Sequence, residues 1–141
     1  MLNERQLSVL RHLRKEARKH FMQISRETNI PVTTVFDQYR RLRKVAITKE
    51  VCLLNYKYLG YTLRSYFIAD CESRRILLKF LNIEKRVNNL FLVGTKTILF
   101  EAVFKDEGEK NEFIDNLESY RIRELKELSI SDEIKSESFI P

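Results

Sequence analysis

The stretch from residue 33 to residue 44 concentrates side chains whose chemistry suits the edges of DNA bases. Thr33 and Thr34 can bond a phosphate or touch a thymine methyl group, and Gln38 presents the paired donor and acceptor that adenine requires. Asp37 can accept a hydrogen bond from cytosine N4, although phosphate repels its carboxylate. These residue types at adjacent positions indicate a surface that reads double-stranded DNA.

Basic side chains supply the remaining chemistry. Arg40 and Arg41 can reach guanine or the backbone. Four others are better placed for phosphate: Lys44, Lys49, Arg18 and Lys19. Residues 1–50 hold 12 Lys and Arg against 5 Asp and Glu, a balance of +7 in a chain of net charge +6. Such a basic segment beside a nearly neutral remainder is typical of a polyanion-binding head on a protein-binding body. A solvated basic face without a partner is the alternative that charge alone leaves open.

Predicted helices must position these side chains. Asn3 and Gln6 have capping-box spacing at the start of a first helix that runs to about residue 14. A short second helix is expected near residues 22–28, where Ile24 points inward. Both helices precede residues 33–44 and provide the surface on which that stretch can pack.

A tight turn and a third helix follow. Asn29 tolerates the left-handed backbone that a tight turn needs, and Pro31 suits the first turn of a helix over residues 31–44. One apolar stripe runs along that helix: Val32, Val35, Tyr39 and Leu42. A short helix, a tight turn and a helix with a polar outer face together predict a helix-turn-helix.

The segment after the third helix divides the chain. Residues 46–55 favour β-structure and are predicted to form a wing or a linking strand. We therefore predict a helix-turn-helix domain with its linking strand over residues 1–55, and a second domain over residues 60–141.

The second domain alternates strands and helices. The predicted elements are a strand over 63–70, a helix capped by Ser73, strands over 87–93 and 97–104, a helix capped by Asp106, and a strand within 124–134 before a frayed tail. This β-α-β-β-α-β order is the ferredoxin-like arrangement. The fold class is thus α+β, an N-terminal (winged) helix-turn-helix followed by a ferredoxin-like domain.

Two of the predicted strands have consecutive apolar residues. Residues 90–93 and 98–100 place apolar side chains on both faces of the sheet, yet two helices can cover only one face of a four-stranded antiparallel sheet. We therefore expect two copies of the chain to pair through their sheets. Burial of both faces within one chain is the alternative.

Several short motifs stand in a distinctive order: Asn29-Ile30-Pro31-Val32-Thr33-Thr34-Val35, Arg41-Leu42, Leu53-Leu54-Asn55 and Leu59-Gly60-Tyr61. In order and spacing they resemble the Lrp/AsnC (feast/famine) transcriptional regulators, and the resemblance covers essentially the whole chain. It implies a homodimer, often assembled further into octamers, that binds promoter DNA as a repressor or an activator.

The resemblance also implies an effector. Many family members bind an amino acid between their C-terminal domains, near a turn with the pattern Gly-x-x-Asp. The matching residues here are Gly94, Thr95, Lys96 and Thr97. Because Thr97 stands in place of the acid, the ammonium group of an amino acid would lose one expected anionic partner.

The remaining features favour a cytoplasmic protein without a membrane partner. The longest apolar runs fall short of a membrane span, and no charged-then-apolar leader opens the chain. Cys52 and Cys71 lack the spacing of a zinc site or a disulfide framework. We predict no metal, no cofactor and no catalytic residue.

Two other functions are alternatives for this sequence. Some heme-pathway decarboxylases resemble the same layout but are expected to use histidines in the C-terminal half, whereas His12 and His20 both lie in the N-terminal segment. The other alternative is a protein-interaction modulator that has lost DNA binding, since Asp37 and Thr97 depart from the family's usual pattern.

Overall fold

Three helices occupy the first part of the chain: α1 (Glu4–Lys15), α2 (Phe21–Thr28) and α3 (Val32–Val45). The side chain of Asn3 accepts a hydrogen bond from the backbone N–H of Gln6, whose own side chain accepts from the backbone N–H of Asn3, so the predicted capping box is present. Asn29 ends α2 in the left-handed conformation, with a φ of 55°. The computed structural model describes residues 1–141.

One apolar cluster joins the three helices. It consists of these buried residues: Val9, Leu13, Ile24, Ile30, Val35 and Leu42. Val32 was predicted to belong to it but is 41% exposed. It is the first residue of α3, and burial along this helix begins only at Val35. Gln38 instead completes the inner seam of α3 and is only 8% exposed. The cluster fixes which face of α3 is turned to solvent.

The prediction of a wing or linking strand over residues 46–55 is wrong. Residues 46–62 contain no strand, and Val51, Leu53 and Leu54 along this segment are exposed. A β-strand needs a neighbouring strand for its backbone hydrogen bonds, and the chain places none beside this segment. Its β-forming residues are therefore not sufficient to form a strand.

The C-terminal tail is held by α1 rather than frayed. Arg11 Nε donates to the carbonyl oxygen of Pro141 (2.7 Å), and Arg14 Nε donates to that of Phe139 (2.8 Å). Arg14 also forms an ion pair with Glu137. Residues Ile134–Pro141 thus lie with Met1–Leu53 in one compact unit, and Leu54–Glu133 form another.

The second unit contains four strands and two helices: β1 (Leu63–Cys71), α4 (Arg74–Ile83), β2 (Val87–Val93), β3 (Thr97–Phe104), α5 (Glu107–Glu118) and β4 (Ile122–Ser129). All neighbouring strands are antiparallel, in the order β2-β3-β1-β4. The predicted α+β fold with its β-α-β-β-α-β order is confirmed. The last strand begins earlier than expected, at Ile122.

The two helix caps of this unit differ. Asp106 caps α5 as predicted, because its carboxylate accepts from the backbone N–H of Glu109 at 2.9 Å. Ser73 occupies the corresponding position of α4, but its side chain forms no capping hydrogen bond, so that detail of the prediction is wrong. None of the five helices has the length and apolar composition that crossing a membrane requires.

An aromatic core lies between the sheet and its two helices. Phe113 of α5 is fully buried, and its ring packs against Phe67, Phe100 and Phe104 of the central strands, with centroids 5.3 to 6.1 Å apart. Leu77 of α4 is also fully buried in this cluster. The two helices therefore cover one face of the sheet.

The other face of the sheet carries a polar centre within an apolar surround. Glu101 is fully buried, and its carboxylate accepts hydrogen bonds from Asn88 (2.9 Å), Asn89 (2.5 Å) and Arg64. Phe91 and other apolar residues around this centre stay exposed. Since Glu101 is surrounded by its own donors, the chain satisfies this charge internally.

Candidate nucleic-acid interface

The outer face of α3 presents most of the residues that the sequence singled out. Thr33, Asp37 and Arg40 are exposed, and so are Arg41 and Lys44 one turn further along. Thr34 is half-buried. The structure therefore brings these six residues together on one helix, turned away from the apolar seam. Asp37 forms no ion pair with the neighbouring arginines.

Two guanidinium groups of α3 lie over aromatic rings. The guanidinium of Arg40 lies 5.8 Å from the ring centroid of Phe36, and that of Arg43 lies 6.0 Å from the ring of Tyr39. Phe36 itself packs edge-on against Phe21 of α2. These contacts restrict where the guanidinium groups can point.

A shallow groove runs along the same rings. Its volume is about 460 Å³, and it is lined by Phe36, Tyr39, Arg40, Arg43 and Lys44. Arg43 was not among the residues predicted from the sequence, and the structure adds it to this surface. Its position four residues after Tyr39 on a helix was the signal, because residues at that spacing are neighbours on the helix surface.

The phenol of Tyr39 connects α3 to the segment that follows it. Its hydroxyl donates to Glu50 at 2.9 Å. Burial and this hydrogen bond both raise the pKa of Tyr39, so the ring stays neutral at physiological pH. A neutral, fixed ring gives Arg43 a constant surface on which to lie.

Gln38 does not reach the outer face. Its side chain lies on the buried seam between Val35 and Leu42, and its Oε1 atom has no hydrogen-bond partner. Positions three residues after Val35 and four before Leu42 point inward on a helix. The structure thus turns the residue proposed to recognise adenine away from the candidate DNA-binding surface.

The predicted phosphate contacts outside α3 differ in availability. The Lys19 ammonium lies 2.5 Å from Glu27, and its side chain is 13% exposed. This hydrogen bond, followed by that from Gln23, lowers the pKa of the Glu27 carboxyl, which keeps that carboxylate charged. Arg18 and Lys49 are exposed. Lys19 is therefore already neutralised within the chain, whereas the other two are not.

The turn singled out for an effector joins β2 to β3. Gly94 adopts a φ of 56°, in the left-handed region that favours glycine. Its carbonyl oxygen accepts a hydrogen bond from Arg74 of α4 at 2.8 Å. Thr95 and Lys96 are exposed, and Thr97 is half-buried opposite Asp70 in the strand register. The turn is consequently tied to the start of α4.

No protein-family model matches the chain. Among curated proteins, a Pyrococcus abyssi protein described as an uncharacterised HTH-type transcriptional regulator is 25% identical over 118 residues, covering 81% of this chain and 80% of its own length. A second P. abyssi protein with the same description is 29% identical over 117 residues, covering 80% of this chain and 74% of its own. These relatives support a transcription regulator.

Solved structures with the same fold extend over nearly the whole chain. AsnC from E. coli matches with a TM-score of 0.85 at 14% identity and covers 100% of this chain and 99% of its own. LrpC from B. subtilis matches with a TM-score of 0.85 at 16% identity, covering 96% and 99%. A Neisseria meningitidis transcriptional regulator, solved in complex with L-Met, matches with a TM-score of 0.88 at 17% identity, covering 100% and 97%.

The relatives and the fold together define the class of protein, a transcription regulator. The chain has a helix-turn-helix unit and a ferredoxin-like unit, the fold of the transcription regulators AsnC and LrpC. The resemblance to Lrp/AsnC regulators inferred from the short motifs is confirmed at the level of the fold.

A substitution of Gln38 distinguishes a buried role from base recognition. We expect Gln38→Met to raise the free energy of unfolding by about 1 kcal/mol, because it removes a buried acceptor that has no partner. Urea denaturation measures this change. Affinity for duplex DNA should stay within about twofold, whereas a tenfold loss of affinity in a stably folded variant would show that Gln38 contacts a base.

Proposed function

We propose that the chain is a sequence-specific DNA-binding transcriptional regulator of the Lrp/AsnC type, which uses the outer face of α3 as its recognition helix. The observation that carries this proposal is the set of exposed cations on α3. Arg40, Arg41 and Lys44 take part in none of the ion pairs of the chain. Their charge is therefore available to an external polyanion.

The arrangement of α3 suits the major groove. In a helix-turn-helix the N-terminal part of the second helix contacts base edges, while flanking basic residues contact phosphates. Thr33, Thr34 and Asp37 lie in that N-terminal half, and the cations lie further along. This order supports base recognition by the first group and phosphate contacts by Arg40, Arg41 and Lys44.

Asp37 limits which sequence is read. A carboxylate next to phosphates is repelled, but one that accepts from cytosine N4 gains a specific hydrogen bond. Because no arginine neutralises Asp37 within the chain, its charge penalises any site that does not offer a donor. Asp37 is thereby proposed to contribute specificity rather than affinity.

The uncovered face of the sheet supports a homodimer as part of the proposed function. Phe91, Val93 and Leu128 are 48%, 46% and 44% exposed on this face, where Phe91 lies directly opposite half-buried Leu99. Exposed apolar patches of this kind mark protein interfaces. Two copies that meet through this face would present two recognition helices, whose half-sites should be about 10 base pairs, or a multiple of that, apart.

Salt dependence tests DNA binding directly. The logarithm of the affinity for duplex DNA should fall linearly with the logarithm of the salt concentration, with a slope of about −0.9 for each phosphate contacted. Arg40→Ala/Arg41→Ala should weaken binding at low salt by at least tenfold and make the slope shallower by up to about 2. Fluorescence anisotropy over a range of salt concentrations measures both quantities.

A matched control removes the same charge elsewhere. Arg5 and Lys15 are exposed on α1 and form no ion pair. Arg5→Ala/Lys15→Ala should therefore change the affinity by no more than about threefold. If both double variants lose affinity equally, only net charge matters and α3 is not the recognition helix. A wild-type chain that binds no duplex DNA at low salt would instead favour the interaction modulator.

The dimer can be tested at the centre of the uncovered sheet face. Leu99→Glu places a charge among the apolar residues of the proposed interface, so the variant should sediment as a monomer at micromolar concentration while wild-type sediments as a dimer or larger. Ile76→Glu is the control, since Ile76 is 58% exposed on α4. Circular dichroism checks that both variants are folded. A monomeric wild-type protein contradicts this interface.

A further inference from the structure

An open groove lies between α4 and the edge strand β2. Its volume is about 680 Å³, within the range of roughly 300–1,000 Å³ for small-molecule sites. Half-buried Leu78 and Leu90 form its apolar part, and Thr95 of the β2–β3 turn contributes a hydroxyl group. The groove is separate from the uncovered sheet face, since Leu90 belongs to the face on which the helices pack.

Positive charge dominates this groove. Arg74, Arg75 and Lys79 line it together, and no acidic residue does. None of the three takes part in the ion pairs of the chain. Arg75 and Lys79 are four residues apart on one helix, a spacing at which like charges repel each other. The chain thus concentrates three cations here without neutralising them, and a bound anion would relieve that repulsion.

The number of cations indicates the class of anion. A phosphate monoester carries a charge of about −1.5 to −2 at pH 7 and three acceptor oxygens, which three cations can share. Arginine presents a planar fork of donors that matches a phosphate group. A zwitterionic amino acid fits less well, because its ammonium group would meet cations and no carboxylate in the groove lining.

We propose that this groove binds a small molecule that carries a phosphate group, with its less polar part on Leu78 and Leu90. We assign this molecule the role of effector, which rests on the proposed function. Arg74 connects the groove to the β2–β3 turn, because the same side chain lines the groove and donates to the carbonyl oxygen of Gly94. Binding that draws Arg74 toward a phosphate competes with that hydrogen bond and so acts on the β2–β3 turn.

Calorimetric titration of the purified 141-residue chain tests the binding. The probes are 5′-AMP, inorganic phosphate, adenosine and L-Met at low salt. AMP should bind with at least tenfold higher affinity than adenosine, which differs only by the phosphate, and than L-Met. The proposal is overturned if neither AMP nor phosphate binds at millimolar concentration, or if adenosine binds as tightly as AMP.

Two double variants locate the site. Arg75→Ala/Lys79→Ala should weaken AMP binding at least tenfold and leave the fold intact, because both side chains are exposed. Lys57→Ala/Lys85→Ala removes the same charge from exposed positions outside the groove and should change AMP affinity by no more than about twofold. Equal losses in both variants would overturn the proposal, since binding would then depend only on net charge.

DNA binding, measured in parallel without AMP, separates the two proposals. Arg75→Ala/Lys79→Ala should bind duplex DNA as wild-type does. If this variant loses DNA affinity and wild-type does not bind AMP, the groove contacts DNA, and the phosphate-ligand proposal fails while the proposed function stands. If wild-type binds AMP but no DNA, the proposed function and the effector role fail while the binding site stands.

Discussion

Burial of the inner seam of α3 is the constraint on which the candidate interface depends. Val35 and Leu42 are completely buried against Val9 and Ile24, so α3 has only one rotation about its own axis that satisfies the core. That rotation turns Arg40 and its basic neighbours to solvent. The cationic surface is therefore a consequence of apolar packing, and it would be lost if the seam were displaced by one residue.

In the second unit, too, the packing of one face determines which residues lie on the opposite face, here of a sheet. The aromatic cluster around Phe113 occupies one face, so the alternate residues of each strand must lie on the other. On that face the buried carboxylate of Glu101 accepts hydrogen bonds from side chains such as that of Asn88, while apolar side chains remain exposed around it. A charge satisfied within the chain allows the surrounding apolar surface to meet a partner without leaving an unpaired carboxylate.

Local signals in the sequence predicted most of the fold because they are properties of neighbouring residues. The capping box of Asn3, the left-handed Asn29 and the strands on either side of Gly94 are all of this kind. The predictions failed where tertiary partners decide. Residues 46–55 have β-forming side chains but no strand to pair with, and Gln38 is polar yet completes an apolar seam. For the same reason the Lys19–Glu27 pair and the rings beneath Arg40 and Arg43 could not be predicted from sequence periodicity.

Contact between the outer face of α3 and duplex DNA is the interaction on which the proposed function depends. Nuclear magnetic resonance of the isotopically labelled chain, titrated with duplex DNA, tests this contact residue by residue. We expect the largest shifts on Thr33, on Asp37 and on the side-chain Nε–Hε groups of Arg40, Arg41 and Arg43. Shifts confined to the unit Leu54–Glu133, or no shifts at all in dilute buffer, would contradict it.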